Sequence, residues 1–256
     1  MDRSYVVTGG GRGIGRAVVE RLLGGADTVV AIEFDPAALD WVDRHPAGDR
    51  VRAVVGDAAD ETVAERAADL AESAGRLTGW VNNAAVFRDA SVHSTRTAEV
   101  VDLIGANLNP AVVGCATAIR RFLAAGTGGA VVNVSSHQAR RAVPGCTPYV
   151  TAKAAIEGLT RALAVEYGPH GIRVNAVAPG SVVTERHQRF LAGQSPEAVA
   201  RIEAELSQLH PLGRPARTAE VAAAVAHLLS DDASFITGVT LPVDGGRTVL
   251  ALDPEG

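Results

Sequence analysis

Short runs rich in Val, Ile and Thr alternate along the chain with longer segments whose apolar residues have helical spacing. Strands that alternate with helices predict a parallel sheet covered by helices on both faces. The runs are almost continuously apolar, as strands covered on both faces should be. The predicted strands are 4–8, 28–33, 51–56, 79–83, 130–136, 172–179 and 238–244; the predicted helices are about 14–26, 36–44, 60–74, 97–125, 147–168, 195–208 and 218–230. The predicted fold class is α/β, with a doubly wound sheet of about seven strands.

Residues 1–256 contain no repeat, no low-complexity stretch and no linker, so we predict a single domain. The segment 181–212 fits the alternation poorly because it is mostly polar and follows the sixth predicted strand. A long segment of this kind in a compact domain is typical of a functional loop. We predict that 181–212 is a small insertion that forms a lid over one end of the sheet.

Composition and charge exclude several classes of protein. A net charge of −5 gives no basic face for nucleic acid and no polybasic membrane anchor. No uninterrupted apolar run reaches the roughly 18 residues that span a bilayer, and "MDRSYVVTGG" lacks the layout of a signal peptide. Cys115 and Cys146 form neither a metal-ligand cluster nor a disulfide framework. The sequence predicts a cytoplasmic protein with reduced thiols and no metal.

A glycine loop joins the first predicted strand to the first helix in "YVVTGGGRGIGRAVV". Gly9, Gly13 and Gly15 give the spacing G-x-x-x-G-x-G, which differs from the G-x-G-x-x-G fingerprint. The physics is shared, because glycines allow a tight turn and let the backbone approach a pyrophosphate at the helix N-terminus. The loop indicates a Rossmann-like dinucleotide site.

Glu33 ends the second predicted strand and indicates which dinucleotide binds. A carboxylate there accepts hydrogen bonds from the adenosine ribose of NAD and repels the 2′-phosphate of NADP. Arg12 in the glycine loop argues for NADP, but one arginine does not offset a repulsion of several kcal/mol. We predict NAD, with NADP less favoured. Asp57, after the third strand, either holds the adenine amino group or caps a helix.

The chain has 24 Lys and Arg residues, and Lys153 is the one lysine. Tyr149 precedes it by four residues and so shares its helix face. A phenol with a pKa near 10 works as a base at neutral pH only if that pKa falls by roughly two to three units. An ammonium about 4 Å away supplies that much at an effective dielectric near 20. The pair predicts that Tyr149 exchanges a proton with an alcohol or a carbonyl.

Ser136 and Asn107 are two further candidate residues for the reaction. Ser136 ends the fifth predicted strand, and the carboxyl ends of parallel strands face the ligand crevice. Ser135 competes with it but should point to the opposite face. Asn107 is an unfavourable residue inside a long helix: it is either a tolerated polar residue, or its side chain disturbs the helix and holds a water.

Together these motifs resemble the short-chain dehydrogenase/reductase family over nearly the whole chain. The matching segments, in order, are "TGGGRGIG" at 8–15, "NNAA" at 82–85, "ANL" at 106–108, "NVSS" at 133–136, "YVTAK" at 149–153, "RVNAVAPG" at 173–180, "PLGRP" at 211–215 and "LPVDGG" at 241–246. The one departure is Ala85, where the family often has Gly. The resemblance implies a catalytic set of Asn107, Ser136, Tyr149 and Lys153, in which Asn107 holds a water in a proton relay that ends at Lys153. The implied cofactor contacts are Gly9, Arg12, Gly13, Ile14, Gly15, Glu33, Asp57, Ala58, Asn83, Ala84, Ala85, Tyr149, Lys153, Pro179, Gly180, Val182 and Thr184.

The predicted function is hydride transfer between NAD(H) and a small secondary alcohol or ketone, with alcohol oxidation as the direction because cellular NAD is mostly oxidised. One alternative is a 3-oxoacyl-thioester reductase that uses NADPH; another is a non-catalytic NAD-binding sensor or scaffold. The resemblance also implies a homotetramer or homodimer. The candidate substrate residues are Ser136, Gln138, Arg140, Arg141, Arg186 and His187. Convergent arginines there suit a substrate with an anionic group or several hydroxyls, unless they are solvated surface residues.

Overall fold

The computed structural model describes residues 2–24 and 26–251. Its strands are β1 (Arg3–Thr8), β2 (Thr28–Glu33), β3 (Val51–Val55), β4 (Arg76–Asn82), β5 (Gly129–Val134), β6 (Ile172–Pro179), β7 (Val182–Val183), β8 (Ala216–Arg217) and β9 (Thr240–Val243). Its α-helices are α1 (Gly13–Leu22), α2 (Glu61–Glu72), α3 (Thr97–Ala125), α4 (Thr147–Tyr167), α5 (Glu185–Ala192), α6 (Pro196–Leu209) and α7 (Thr218–Leu229). Met1, Gly25 and 252–256 lie outside the described residues. The predicted domain 1–256 and the predicted helix 14–26 are therefore compared with the structure only over their described residues.

The main sheet has seven parallel strands in the order β3-β2-β1-β4-β5-β6-β9. From β1 the chain winds outward to β3 on one side, and from β4 it winds outward to β9 on the other. The winding direction therefore reverses between β1 and β4, which is the place where doubly wound sheets bind ligands. This confirms the predicted α/β fold class.

The core has two layers, one on each face of the sheet. Tyr5 and Val7 of β1 pack with α1 and α7, whereas Val6 of the same strand packs with α2, α3 and α4. This alternation follows from the two-residue period of a strand. Aromatic residues are few, and α2 contributes alanines to the core, which allows it to lie close to the sheet. The predicted continuous apolar strands are thus explained by burial on both faces.

Helix α3 is the longest element, with 29 residues. By length and composition it is long and apolar enough to cross a membrane. In this fold it packs against β4 and between α2 and α4, as the core helix of a globular domain does. Its end is set by Gly126, whose left-handed conformation (φ 63°) closes the last turn.

The predicted helix 36–44 is wrong. The chain forms two short 3-10 turns there, Pro36–Leu39 and Val42–Arg44. Asp35 accepts a hydrogen bond from the Ala37 amide and so starts a turn, but the intervening Asp40–Trp41 does not continue it as an α-helix. The apolar spacing that suggested a helix instead buries Leu39 and Val42 against β1 and β2.

The segment 181–212 contains β7, α5 and α6. Strand β7 pairs with β8 in a separate two-stranded sheet. Neither α5 nor α6 has a fully buried residue, in contrast to the other five α-helices. Helix α6 has an apolar stripe of Val199, Ile202, Leu206 and Leu209, but these side chains are only half-buried, so the segment packs less closely against the domain than the core helices do.

Candidate active site

A cavity of about 1090 Å³ lies at the carboxyl ends of the strands, next to the reversal between β1 and β4. It is lined by the glycine loop, by the residues that follow β2 to β6, and by the first turns of α4 and α5. The volume is large enough for a dinucleotide together with a small substrate. Parallel strands bring all these segments to one edge, although they are far apart in the sequence.

The glycine loop is shaped for close approach. Gly9 and Gly13 have positive φ values of 63° and 54°, which side chains rarely adopt. A Cβ atom on Gly15 would collide with the carbonyl oxygen of Gly9. Gly9, Gly13 and Ile14 line the cavity, whereas Gly15 lies beneath the loop and lets α1 begin against it. The N-terminus of α1 thus borders the cavity, and a helix N-terminus suits a pyrophosphate.

Asn83 supports this loop from below. Its Nδ2 donates to the carbonyls of Thr8 (3.1 Å) and Gly9 (3.0 Å). The Asn83 side chain therefore holds the glycine loop, and Ala84 and Ala85 continue along the cavity wall. The small side chains at these positions leave the cleft open.

Glu33 lines the cavity where β2 ends. Its Oε2 accepts from the Gly11 amide (3.2 Å) and its Oε1 accepts from the Phe34 amide (2.9 Å). The carboxylate is therefore held in one position facing the glycine loop. Asp57 accepts from the Ala59 amide (2.9 Å), while α2 is capped by Asp60, so Asp57 is not the helix cap. Asp57 and Ala58 both line the cavity.

Arg12 is held by an acid that sequence reasoning missed. Its Nη2 lies 2.6 Å from Oδ2 of Asp35, and both side chains line the cavity. The spacing of Asp35, two residues after Glu33, was the available signal. The Arg12 guanidinium is therefore already paired with the Asp35 carboxylate.

On the far side of the cavity, the chain leaving β6 passes over the strand ends. Pro179, Gly180, Val182 and Thr184 all line the cavity. A Cβ atom on Gly180 would crowd Asp244, so glycine is required for the chain to pass there. Thr184 Oγ1 accepts from the His187 amide (3.3 Å) and caps α5.

Ser136, Tyr149 and Lys153 come together at the end of β5. Ser136 and Lys153 are buried, and Tyr149 stays partly accessible in the first turn of α4. Lys153 Nζ donates to the Val134 carbonyl (2.7 Å) and lies 5.4 Å from the centre of the Tyr149 ring. Ser136 Oγ accepts from the Gln138 amide (3.1 Å) and lies near enough to Tyr149 to favour its phenolate form. Ser135 Oγ instead lies against α4, 3.2 Å from the Lys153 carbonyl, in agreement with the strand alternation.

The pKa values in this group are governed by burial. Burial raises the pKa of Tyr149 to about 12, against the lowering effects of the Ser136 hydroxyl and the Arg186 charge. Burial also lowers the pKa of Lys153 to about 8. The predicted fall of the Tyr149 pKa through Lys153 is therefore not found in the protein alone. The reason is that the environment that brings the ammonium close to the phenol also disfavours both charges.

Asn107 is buried in α3 and does not line the cavity. Its Nδ2 donates to the Leu103 carbonyl (3.0 Å), and its Oδ1 accepts from the Val86 amide (3.0 Å). The side chain thus ties α3 to the loop after β4. Pro110 has no N–H for the Ala106 carbonyl one turn earlier, and both of these residues line the cavity. Pro110 was a readable signal, which the sequence reasoning missed, for a missing backbone hydrogen bond next to Asn107 in an otherwise continuous helix.

The structure separates the predicted substrate residues into two groups. Ser136, Gln138, Arg186 and His187 line the cavity, and Arg189, Phe190, Val86 and Phe87 lie with them. Arg140 and Arg141 do not line it, so the predicted convergence of arginines is wrong for these two. Arg140 pairs with the buried Glu157 (3.2 Å), and Arg141 donates to the Thr248 carbonyl. The turn after Ser136 directs them away from the cavity.

His137 is a buried lining residue that sequence reasoning missed. Its Nδ1 lies 3.2 Å from the Pro179 carbonyl, which can only accept, so Nδ1 carries the proton. Burial, followed by the charge of Arg247, lowers the pKa of His137 to about 4. The imidazole is therefore neutral at pH 7. Within 2–24 and 26–251, no group of His, Cys, Asp or Glu is arranged to hold a metal ion.

Comparisons with known proteins identify the family. Residues 9–248 match the family profile described as "Enoyl-(Acyl carrier protein) reductase". The chain is 36% identical over 252 residues to 2,5-dichloro-2,5-cyclohexadiene-1,4-diol dehydrogenase of Sphingobium indicum, a match that covers 97% of this chain and 98% of that protein. It is 34% identical to meso-2,3-butanediol dehydrogenase of Serratia marcescens, over 99% and 98% of the two chains. The crystal structure of levodione reductase superposes with a TM-score of 0.86 at 32% identity, over 98% of this chain and 99% of that one.

The chain therefore belongs to the short-chain dehydrogenase/reductase family. It is an oxidoreductase that interconverts secondary alcohols and ketones with a nicotinamide dinucleotide, as the relatives are dehydrogenases and reductases acting on CH–OH groups.

Proposed function

We propose that the protein is an NAD-dependent dehydrogenase that oxidises a small, neutral secondary alcohol with a second hydroxyl group. The observation that carries the proposal is the meeting of Ser136, Tyr149 and Lys153 with the glycine-loop cavity at one edge of the sheet. The proposal adds residue roles, a cofactor preference, a direction and a substrate class to the family activity.

The dinucleotide would lie in the cavity, along the glycine loop and the carboxyl ends of the strands. The first turn of α1 would hold the pyrophosphate, and Glu33 would accept from the adenosine ribose. Asp57 and Ala58 would border the adenine, and Val182 and Thr184 would border the nicotinamide. When bound, the nicotinamide ring supplies the hydride acceptor. The glycine positions fit this group, because Cβ atoms on Gly9 and Gly15 would collide with the Ala84 backbone and the Gly9 carbonyl and so displace the loop that borders the cavity.

Tyr149 would act as the general base for alcohol oxidation and as the general acid for ketone reduction. Ser136, which lines the cavity beside Tyr149, would bond the substrate oxygen and hold it within reach of the phenol. Lys153 would stabilise the tyrosinate and bond the nicotinamide ribose. Asn107 would act indirectly, since its side chain ties α3 to the loop after β4 beside the cavity. A water held by Asn107 in a proton relay that ends at Lys153 is part of the proposal.

The preference for NAD is supported by two carboxylates. Glu33 is held in position by backbone amides, and Asp35 neutralises Arg12, the cation in the glycine loop that would otherwise suit a 2′-phosphate. A phosphate there would meet a net negative environment. Because cellular NAD is mostly oxidised, alcohol oxidation is the proposed direction.

The substrate class is inferred from the cavity and from the relatives. Gln138 and His187 provide hydrogen-bonding groups beside Ser136, while Val86 and Phe87 are apolar. Because Arg140 and Arg141 lie outside the cavity, fewer cations are available to bind an anionic substrate. Two relatives are named for diols, which suits a pocket with several uncharged polar groups.

A panel of secondary alcohols and vicinal diols, each with NAD and with NADP, tests the proposal through the absorbance of the reduced cofactor. We expect NAD reduction with at least one diol and a higher kcat/KM for diols than for the matching mono-alcohols. Tyr149→Phe is the control for turnover at this site. Absence of reduced cofactor with every alcohol, together with no oxidation of NADH by the matching ketones, would overturn it.

A second candidate is a reductase of 3-oxoacyl thioesters, favoured by the acyl-carrier-protein description of the matching profile. It would be identified by faster NADPH oxidation with a 3-oxoacyl thioester than with any simple ketone. Glu33 and Asp35 disfavour that cofactor. A non-catalytic sensor is excluded by any hydride transfer that Tyr149→Phe abolishes. The same proposal has three further parts. The segment 181–212 acts as a lid, the protein assembles as a homotetramer or homodimer, and it is located in the cytoplasm. Light scattering tests the assembly.

A further inference from the structure

The first turn of α5 contacts two different loops at the edge of the cavity. Glu185 Oε2 accepts from the amide of Gly13 in the glycine loop (3.0 Å). The next residue, Arg186, places its Cζ 4.1 Å from the centre of the Phe87 ring, which follows β4. With Thr184 capping the helix, these contacts fix where the Arg186 side chain lies.

Phe87 connects Arg186 with the reacting tyrosine. Its ring centre lies 5.1 Å from that of Tyr149, with an interplanar angle of 32°. The guanidinium, the phenyl ring and the phenol ring therefore form one continuous stack from α5 to α4. Such stacks are stabilised by cation–π and aromatic contacts, so the position of the charge is set by packing.

The charge of Arg186 is not neutralised by a carboxylate within the described part of the chain, unlike that of Arg12, Arg140 or Arg214. Three titratable groups face Tyr149 in the described part of the chain: Cys146, just before α4; Lys153, in α4; and Arg186, in α5. The Ser136 hydroxyl faces it from the end of β5. Lys153 is itself buried, and its pKa is lowered to about 8. A guanidinium group in general carries a delocalised charge that a lysine ammonium does not match when it is buried.

We propose that Arg186 is a positioning residue for the reaction: held over Phe87 by α5, its guanidinium favours the tyrosinate form of Tyr149, so that ionisation of the tyrosine depends on where α5 lies. The inference rests on the proposed role of Tyr149 as general acid and base. It differs from the anion-binding role predicted from the sequence, because the effect acts on Tyr149 with neutral substrates as well. The Arg186 charge is among the influences that lower the pKa of Tyr149.

The test compares Arg186→Gln and Arg186→Lys with wild type at low ionic strength, where an exposed charge is least screened. The first measurement is the pH dependence of kcat for a neutral alcohol at saturating NAD. The second is the ultraviolet absorbance of tyrosinate during a pH titration of the protein alone, with the Tyr149→Phe background subtracted from each variant. In both, we expect Arg186→Gln to move the ionisation upward by about half a pH unit or more. Arg186→Lys should restore at least half of that shift.

Arg201→Gln is the matched control, because Arg201 is an exposed arginine on α6 of the same segment and does not line the cavity. It should leave both titrations unchanged. The proposal is overturned if Arg186→Gln shifts neither titration, if Arg201→Gln shifts them equally, or if the only effect of Arg186→Gln is a higher KM for acidic substrates. The absorbance titration needs no turnover. A wild-type protein that oxidises no alcohol therefore contradicts the proposed function, while the Arg186 effect is still decided by absorbance.

Discussion

Lys153 occupies a site where another cation would not fit. Its ammonium is buried and donates to the Val134 carbonyl at 2.7 Å, beside the Tyr149 ring. A guanidinium is larger and planar, and cannot take the position of a point charge. The remaining 23 basic residues of the chain are arginines, which is consistent with a requirement for lysine here alone.

We therefore expect Lys153→Arg to lower kcat about 100-fold or more while circular dichroism shows a folded protein. Arg161→Lys, an exposed change two turns later on α4, is the control and should keep wild-type kcat. Activity of Lys153→Arg within a few-fold of wild type would contradict the role of the ammonium.

Tyr149→Phe should abolish turnover and leave NAD affinity within about twofold, because the ring and its contact with Phe87 remain. In the protein alone, the tyrosinate absorbance that this variant loses should appear near pH 12, the pKa set by burial. Oxidised NAD should move that ionisation down, since a positive charge favours the phenolate. The kinetic profile for alcohol oxidation should then show an ionisation below 10; a rate that rises steadily to pH 10 would argue against tuning of the phenol.

Asp35 provides a prediction for cofactor choice. Asp35→Asn frees Arg12 from its ion pair and should raise the NADP to NAD ratio of kcat/KM by about tenfold, or 1.4 kcal/mol. Glu33→Ala should raise it further and weaken NAD binding. Asp40→Asn, a nearby exposed acid, should leave the ratio unchanged. If wild type already prefers NADP, the weight given to the two carboxylates is wrong.

The start of α1 depends on one close backbone contact. Gly15 lies directly against the Gly9 carbonyl, whereas Gly168 at the end of α4 has helical φ and no neighbour within 4 Å of a Cβ atom. Gly15→Ala must push the helix away from the glycine loop, so we expect a loss of about 1–3 kcal/mol in unfolding free energy and weaker NAD binding. Gly168→Ala should be neutral or stabilise by about 0.5–1 kcal/mol. Denaturant titration and NAD binding measure both, and equal effects of the two variants would contradict the argument.

The segment 181–212 shows how far a departure from the strand–helix alternation can be read from the sequence. A polar stretch after β6 predicted an insertion, and α5 and α6 are helices without buried residues. Its contacts with the cavity were not readable, since Glu185 reaches Gly13 and Arg186 reaches Phe87 over long distances in the chain.

The stability of the whole molecule should depend on pH through His137. Its pKa is about 4 in the folded protein against an ordinary value of 6.5. Below 6.5 the unfolded chain binds a proton that the folded chain excludes, so this contribution is complete above pH 6.5 and is lost as the pH falls towards 4. The loss is about 3 kcal/mol for a shift of this size. Lys153 also has a lowered pKa, but its effect changes only between its ordinary value of 10.5 and about 8.

Urea unfolding between pH 7 and 4 measures this dependence. His137→Gln should lose less stability on acidification than wild type, whatever its stability at pH 7. His170→Gln, a change at an exposed histidine, should keep the wild-type slope. Parallel slopes for wild type and His137→Gln would show that burial of this imidazole does not control acid stability.

The sequence by itself determined the seven strands of the parallel sheet, the helices that cover it, the glycine loop and the Ser136, Tyr149 and Lys153 group, because each depends on a local period or a short spacing. It did not determine the 3-10 turns after β2, where apolar spacing resembled a helix but the chain packs as turns. The partners of the charged groups were decided only by the tertiary structure. Asp35 forms an ion pair with Arg12, and Glu157 forms one with Arg140. Phe87 contacts both Arg186 and Tyr149. These pairings join segments that the fold brings to one sheet edge, and burial there sets pKa values that no spacing along the chain contains.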